Sequence, residues 1–240
     1  ETLRSSGSTL TLQHPTYAYD VKGSGDLVLT TAEGSRGSGQ LRLGPAGTYL
    51  INHRITMQNG AKQLRCAPDA VIKNTDPNSN HLFRILRYDQ RIANISFIGC
   101  SFQGSNTAPP QFALGSSQWN IPIFVEGMID DVLIAGNTFN QFFGQSMVQT
   151  YAHDAASSGK RAVIAYNTFS NCGYYGAVFT SHANGYIGFN TSIDCSGGVE
   201  NDDATQATGG NIIEFNTHTV VNGHGAARGV GWTSTDAVML

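Results

Sequence analysis

Charge is scarce in this chain. Asp, Glu, Lys and Arg together make up 13% of the residues, with 14 Lys+Arg against 17 Asp+Glu and a formal net charge of -3. No basic stripe is present, which argues against nucleic acid as a partner. No apolar run approaches the roughly eighteen residues of a membrane-spanning helix, so no membrane span is expected. The four cysteines (Cys66, Cys100, Cys172, Cys195) have neither the CxxC nor the Cys/His spacing of a zinc site. Leu and Ala at helical spacing, which α-helical repeats require, are missing as well. No signal peptide is visible, and the chain opens on Glu1 rather than Met; it reads as a processed form or an excised fragment. What remains is turn-rich: 28 Gly, but only 7 Pro, with many Asn, Ser and Thr. Its 240 residues suffice to bury a sizeable core.

The second half repeats itself. In order it reads "VLIAGNTFNQF" (132–142), "AVIAYNTFSNC" (162–172), "GYIGFNTSIDC" (185–195) and "NIIEFNTHTVV" (211–221). Each copy carries Ile, two residues, then Asn-Thr. The asparagines fall at Asn137, Asn167, Asn190 and Asn216, spaced 30, 23 and 26 residues apart. A divergent earlier copy, "NISFIGCSFQG" (94–104), has Cys100 in the Asn slot.

A repeat of this size signals a solenoid. Short β-branched or aromatic runs followed by Asn, Gly and Ser read as strands and corners. Fixed strands with variable spacing fit a parallel β-helix, because insertions go into loops while stacked strands keep register. Asn tolerates the left-handed backbone of a tight corner. Stacked one per coil, about 4.8 Å apart, the asparagines can bond to one another. Five residues beyond each Asn stand Phe142, Cys172, Cys195 and Val221, expected to point inward. Cys172 and Cys195 then become neighbours, as two buried thiols or as a disulfide.

A second strand follows each corner: "SMVQTYAHD" (146–154), "GAVFTSHAN" (176–184), "GGVENDDAT" (197–205) and "RGVGWTSTD" (228–236). Aligned on valine, with "IPIFVEG" (121–127) one unit earlier, they set Val125, Val148, Val178, Val199 and Val230 inward. Alternation then sets Glu126, Gln149, Phe179, Glu200 and Gly231 outward, followed two residues on by Tyr151, Ser181, Asp202 and Thr233. Residues 39–85 read as strands joined by Gly, Pro and Asn turns. Residues 1–38, polar and Ser/Gly-rich, read as an N-terminal cap, neck or linker, and 39–240 as the β-helix.

"VENDD" (199–203) gathers three carboxylates in five residues. On a strand, Glu200 and Asp202 share one face about 6.6–6.8 Å apart, within the roughly 6.5–9.5 Å separation of inverting glycosidases. Like charges this close raise one pKa, as a general acid needs. Glu200 and Asp202 are therefore the candidate acid/base pair, with Asp203 and His182 next. Tyr151, His153, Tyr175 and Trp232 are expected on the same face as sugar contacts, since aromatic rings pack on the C–H faces of sugars. Glu126 is a candidate substrate contact about 14 Å away, three strand spacings along. The plain alternative is that acidic residues at a strand exit are solvated, and that each aromatic or histidine is structural.

On "GPAGTYLI" (44–51), "FRI" (83–85) and the "I..NTF" units, the chain resembles the right-handed parallel β-helix proteins of the pectate-lyase-like superfamily, over about residues 39–235. That superfamily includes pectate lyases, polygalacturonases, alginate lyases, epimerases and trimeric phage tailspikes. The resemblance implies a polysaccharide substrate, an extracellular or virion-associated location, further coils beyond Leu240, and a homotrimer if the chain is a tailspike. Asp202-Asp203 followed by Gly223-His224-Gly225 is similar to the polygalacturonase signature, which implies a substrate-side role for His224. The expected upstream Asn-Thr-Asp is replaced by "FTSHANG" (179–185), and no Arg-Ile-Lys follows. Hydrolysis without a cofactor is the leading expectation. A lyase or epimerase is the alternative, with Ca2+ at Glu200, Asp202 and Asp203 to neutralise a uronate. A non-catalytic fibre or receptor-binding protein is the third.

Overall fold

The computed structural model describes residues 9–12, 18–19, 27–30, 39–43, 47–51, 55–58, 61–66, 68–75, 81–104, 120–172, 176–201, 209–221, 228–232 and 238–239. The architecture is all-β, and no helix occurs among these residues. The chain visits three sheet faces in turn. The first coil is β1 (Thr9–Leu12), β2 (Ala18–Tyr19) and β3 (Leu27–Thr30); the second is β4 (Gly39–Leu43), β5 (Gly47–Ile51) and β6 (Ile55–Gln58). Next come β7 (Ala61–Cys66), β8 (Ala70–Asn74) and β9 (His81–Ile98), then β10 (Ser101–Gln103) and β11 (Ile121–Ala135). β9 and β11 are long because each runs along the third face, turns a corner and continues on the first. β12 (Thr138–Phe142) and β13 (Ser146–Tyr151) complete that coil. Three shorter coils follow: β14 (Val163–Ala165), β15 (Thr168–Cys172), β16 (Gly176–Thr180); β17 (Tyr186–Gly188), β18 (Thr191–Cys195), β19 (Gly197–Asn201); and β20 (Ile212–Glu214), β21 (Thr217–Thr219), β22 (Arg228–Trp232). β23 (Val238–Met239) returns to the first face.

The described strand pairs are all parallel, and each joins a strand to its counterpart one coil away. This order is compatible with a β-solenoid. β1, β2 and β3 already pair with β4, β5 and β6, so the register begins before residue 39.

Register turns sequence repeats into vertical columns. On the first face Leu64, Phe97, Ile134, Ile164, Ile187 and Ile213 are consecutive partners, all buried. On the second, Tyr49, Ile72, Phe102, Phe139 and Phe169 line up. The Phe102, Phe139 and Phe169 rings stack with centroids 4.8 and 5.0 Å apart. On the third, Phe83, Ile123, Val148, Val178, Val199 and Val230 align. Each fully buried apolar side chain contributes about 1.5–3 kcal/mol.

The valine column differs from the sequence expectation in one unit. Ile123, not Val125, pairs with Val148. Both point inward, because "IPIFV" is apolar throughout and strand alternation admits either. The two-residue shift places Phe124, not Glu126, in register with Gln149, Phe179 and Glu200.

The corners follow a second rule. The residue before each ladder Asn takes the left-handed conformation: Gly136, Tyr166, Phe189 and Phe215 have φ of 64, 56, 55 and 52°, and Gly99, before Cys100 in the equivalent slot, has 67°. The asparagine itself turns its side chain inward. Asn167 Oδ1 accepts from the backbone N–H and from Nδ2 of Asn137 at 3.0 and 3.1 Å. Asn190 does the same for Asn167, both at 3.0 Å, and Asn216 for Asn190 at 3.1 and 2.9 Å. Each Nδ2 also donates to a carbonyl of the preceding coil, from Phe97, Ile134, Ile164 and Ile187 in turn. At the upper end the Cys100 N–H donates to Asn137 Oδ1 at 2.9 Å.

The column beyond is buried for Phe142, Cys172 and Cys195, but Val221 is 68% exposed. The cause is the preceding residue. Gln141, Asn171 and Asp194 take positive φ and swing the next side chain inward. β-branched Val220, for which that conformation is a steric outlier, does not. The Val221 N–H is held by Asp194 Oδ1. Cys172 and Cys195 form a disulfide between adjacent strands, and Cys66 bonds to Cys100.

Replacing Asn167 by Ala removes two acceptor and two donor contacts of a buried side chain. Urea denaturation is expected to show a loss of about 2–4 kcal/mol. A change within about 0.5 kcal/mol, typical of an ordinary surface site, would contradict the ladder.

Candidate functional site

On the third face β9 and β11 stay in register until Arg87 meets Gly127; pairing resumes with Ile92 opposite Ile129. Four residues of β9, Tyr88 to Arg91, therefore span what Met128 alone spans in β11. The surplus bulges outward beside the corner and carries Tyr88 onto the outer surface, where it is 37% exposed.

Tyr88 reaches back over Glu126. Glu126 points outward from β11 but is only 6% exposed. Its Oε1 accepts from the Tyr88 hydroxyl at 2.9 Å, and its Oε2 from Arg84 Nη2 at 2.9 Å. His153 Nε2 stands 3.5 Å from Oε1. The His153 ring stacks on Tyr88 at 5.2 Å and meets Tyr151 edge-on at 5.2 Å. Tyr151 stacks on Phe124 at 6.4 Å, and the Arg84 guanidinium lies 6.0 Å over the Phe124 ring. The result is a carboxylate held by a guanidinium and a phenol, walled by aromatic rings whose outer parts are open. Burial, then the hydrogen bond to Glu126 and its charge, hold the Tyr88 phenol protonated far above the usual tyrosine range. Such a group donates rather than accepts. The site can present ring faces to the C–H faces of a sugar and directed donors to its oxygens.

A second charged cluster lies one corner away. Asp130 accepts from Arg91 Nη1 at 2.6 Å and from the Lys160 backbone N–H at 3.0 Å. Arg161 bridges to Asp131 at 2.6 Å and holds that carboxyl below its usual range. These pairs tie the β9 bulge to the following corners and are structural.

Of the residues proposed from sequence, the structure brings Glu126, Tyr151 and His153 together. Glu200 is half-buried on β19, in the outward column of Phe124, three strands further on. Trp232 lies on β22 opposite Asn201, and nothing of its side chain is described. Asp202, Asp203, Tyr175 and His224 lie outside the described residues.

His182 does not face outward. It is fully buried, with Nε2 3.3 Å from the Tyr151 carbonyl and no partner at Nδ1 among the described residues. Its ring packs on Gly159, where an added Cβ would stand 2.6 Å from Cε1. Ser181, expected beside it on the outer face, is buried too and accepts from the Ala152 N–H.

Arg84, Tyr88 and Phe124 were missed from sequence because β9 and the start of β11 lack the Asn-Thr signature. The available signal was "RYDQR" (87–91), a charged run interrupting an alternating strand. Among the described residues no group of three or more His, Cys, Asp or Glu is placed to hold a metal ion, and no helix is long and apolar enough to cross a membrane. No family model, curated protein or solved structure matches the chain.

Burial pushes the His182 imidazole down from 6.5 to about 4. The unfolded chain therefore binds more protons than the folded one between those values, and stability falls as pH drops through this window. The full effect is at most about 3 kcal/mol. Urea midpoints at pH 7 and pH 4.5 should differ less in His182→Gln than in the parent. An unchanged difference would show that His182 does not sense this range.

Proposed function

We propose that the chain is a right-handed parallel β-helix of the pectate-lyase-like kind that binds and hydrolyses a polysaccharide. The observation that carries the reading is the Glu126 site: a carboxylate oriented by Arg84 and Tyr88, with Tyr88, Tyr151 and His153 as a partly open aromatic wall. Aromatic rings beside fixed polar groups fit sugar, which offers apolar faces and hydroxyl edges together. Glu126 has both oxygens engaged and serves to bind. Cleavage is assigned to Glu200, half-buried on β19, and to Asp202, which lies outside the described residues; an i, i+2 pair on extended backbone would stand about 6.6–6.8 Å apart, the separation that admits a water between acid and base. The site and Glu200 lie on the same sheet face, so a polymer lying along the solenoid axis can meet both. Two disulfides fit an oxidising, extracellular or virion-associated setting. A homotrimer is the proposed assembly if the chain is a tailspike.

One observation favours a lyase as the second reading. Arg84, Arg87 and Arg91 concentrate cations near Tyr88 and His153, though each has a carboxylate partner. A uronate carboxylate could be neutralised there, with His153 taking the proton next to it and protonated Tyr88 supplying one to the leaving oxygen.

Incubating the protein with bacterial capsular and plant polysaccharides separates the readings. New reducing ends without ultraviolet absorbance, lost by at least about 100-fold in Glu200→Gln, support the hydrolase. Absorbance from unsaturated uronates, lost in Tyr88→Phe and His153→Gln but kept in Glu200→Gln, shifts the assignment to the lyase. Failure to bind and to cleave every glycan in the panel would overturn the reading.

A further inference from the structure

Tyr166, Phe189 and Phe215 occupy the corner between the first and second faces, one per coil. Their rings form a continuous stack, with centroids 5.0 Å apart at both steps and interplanar angles of 2 and 17°. The spacing is that of the coils themselves. The three rings are 65, 43 and 62% exposed, so nothing among the described residues covers their edges.

Two features mark this column as more than chance. All three residues sit at positive φ, where a bulky side chain is a genuine outlier. One and two coils earlier the same position is Gly136 and Gly99, the residue the backbone prefers. The last three coils thus keep large rings where local geometry asks for glycine and solvent asks for polarity. Strained backbone of this kind gathers at functional positions.

The surroundings define the occupant. Thr168, Thr191 and Thr217 follow two residues after each ring and are register partners on the second face. They point away from the inward column of Phe169, Ser192 and His218. Rings and hydroxyls therefore run side by side along the axis. The residues beside them on the outer first face are Ala165, Gly188 and Glu214, so among the described residues of that face one carboxylate and no cation flanks the strip, which disfavours an anionic polymer.

We infer that the Tyr166–Phe189–Phe215 stack and its threonine column form a second glycan-binding strip, which holds uncharged pyranose units of a polysaccharide lying parallel to the solenoid axis. The strip is on a different face from the Glu126 site and needs no catalysis. The inference rests on the polysaccharide reading above and extends it.

The test is gel retardation in neutral polysaccharides (a β-glucan and a galactomannan) and in an acidic one, comparing parent and Tyr166→Gly/Phe189→Gly/Phe215→Gly. Glycine suits the corner conformation, so the triple variant should melt no lower than the parent. The single change Tyr166→Asn, also tolerant of that conformation, serves if the triple variant fails to fold. The expected result is retardation of the parent by a neutral polymer, weakened about ten-fold or more in the triple variant and reduced in Tyr166→Asn. Equal retardation of parent and triple variant overturns the strip and leaves the Glu126 reading standing. A parent that neither binds nor cleaves any glycan overturns both. Oligomers in the parent that become monomers in the triple variant, with retardation unchanged, overturn the strip in favour of a contact between copies of the chain.

Discussion

The structure depends on one interaction repeated up its axis: a buried asparagine whose side-chain oxygen takes two hydrogens from the asparagine of the coil before. Asn167, Asn190 and Asn216 do this toward Asn137, Asn167 and Asn190 in turn, and Asn137 starts the ladder by taking one hydrogen from the Cys100 N–H. A buried amide left unpaired costs about 1–3 kcal/mol, so each side chain stabilises the fold only if the next coil arrives in register. The ladder is therefore a register device as much as a source of stability. A slip of one residue would turn the side chain outward and orphan its neighbours. The apolar columns on the three faces are permissive by comparison, since Ile, Val and Phe exchange places along them.

Register is also what creates the surfaces. Residues 84, 88, 126, 151 and 153 span three coils and nearly 70 positions of chain, yet Glu126 touches Arg84, Tyr88 and His153 because the strands beneath them are paired. The β9 bulge adds what an ideal coil cannot, a loop long enough to fold Tyr88 back over the carboxylate. The aromatic stack at the opposite corner is the reverse case: it needs no bulge, only the coil repeat. The same constraint thus yields one irregular, polar-and-aromatic site and one regular, apolar strip.

Much of the fold was legible because parallel strands paired coil to coil write their period into the chain. The Asn-Thr repeat placed the strands, the stacked asparagines and the adjacency of Cys172 and Cys195. It pointed to the asparagine itself for the left-handed turn, which is not the residue that takes it. That is the one before the asparagine, where Tyr and Phe disguise a position Gly would announce. Nor did it fix the phase of "IPIFV", because both Ile123 and Val125 satisfy the core, and Glu126 was read two residues out of column as a result. His182 looked like a groove residue beside carboxylates, but its strand exit turns under Gly159, a packing decision that no local pattern records. The Glu126 site was only half visible, since its cation and its phenol come from a strand outside the repeat.

The central claim is that coils distant in sequence are stacked neighbours in this register. It is tested most directly by mapping the disulfides in protein purified without reductant, by proteolysis and mass spectrometry before and after reduction. The account predicts two linked peptides, Cys172 with Cys195 and Cys66 with Cys100. Linkage of Cys172 to Cys66 or Cys100, or of Cys195 to either, would contradict it.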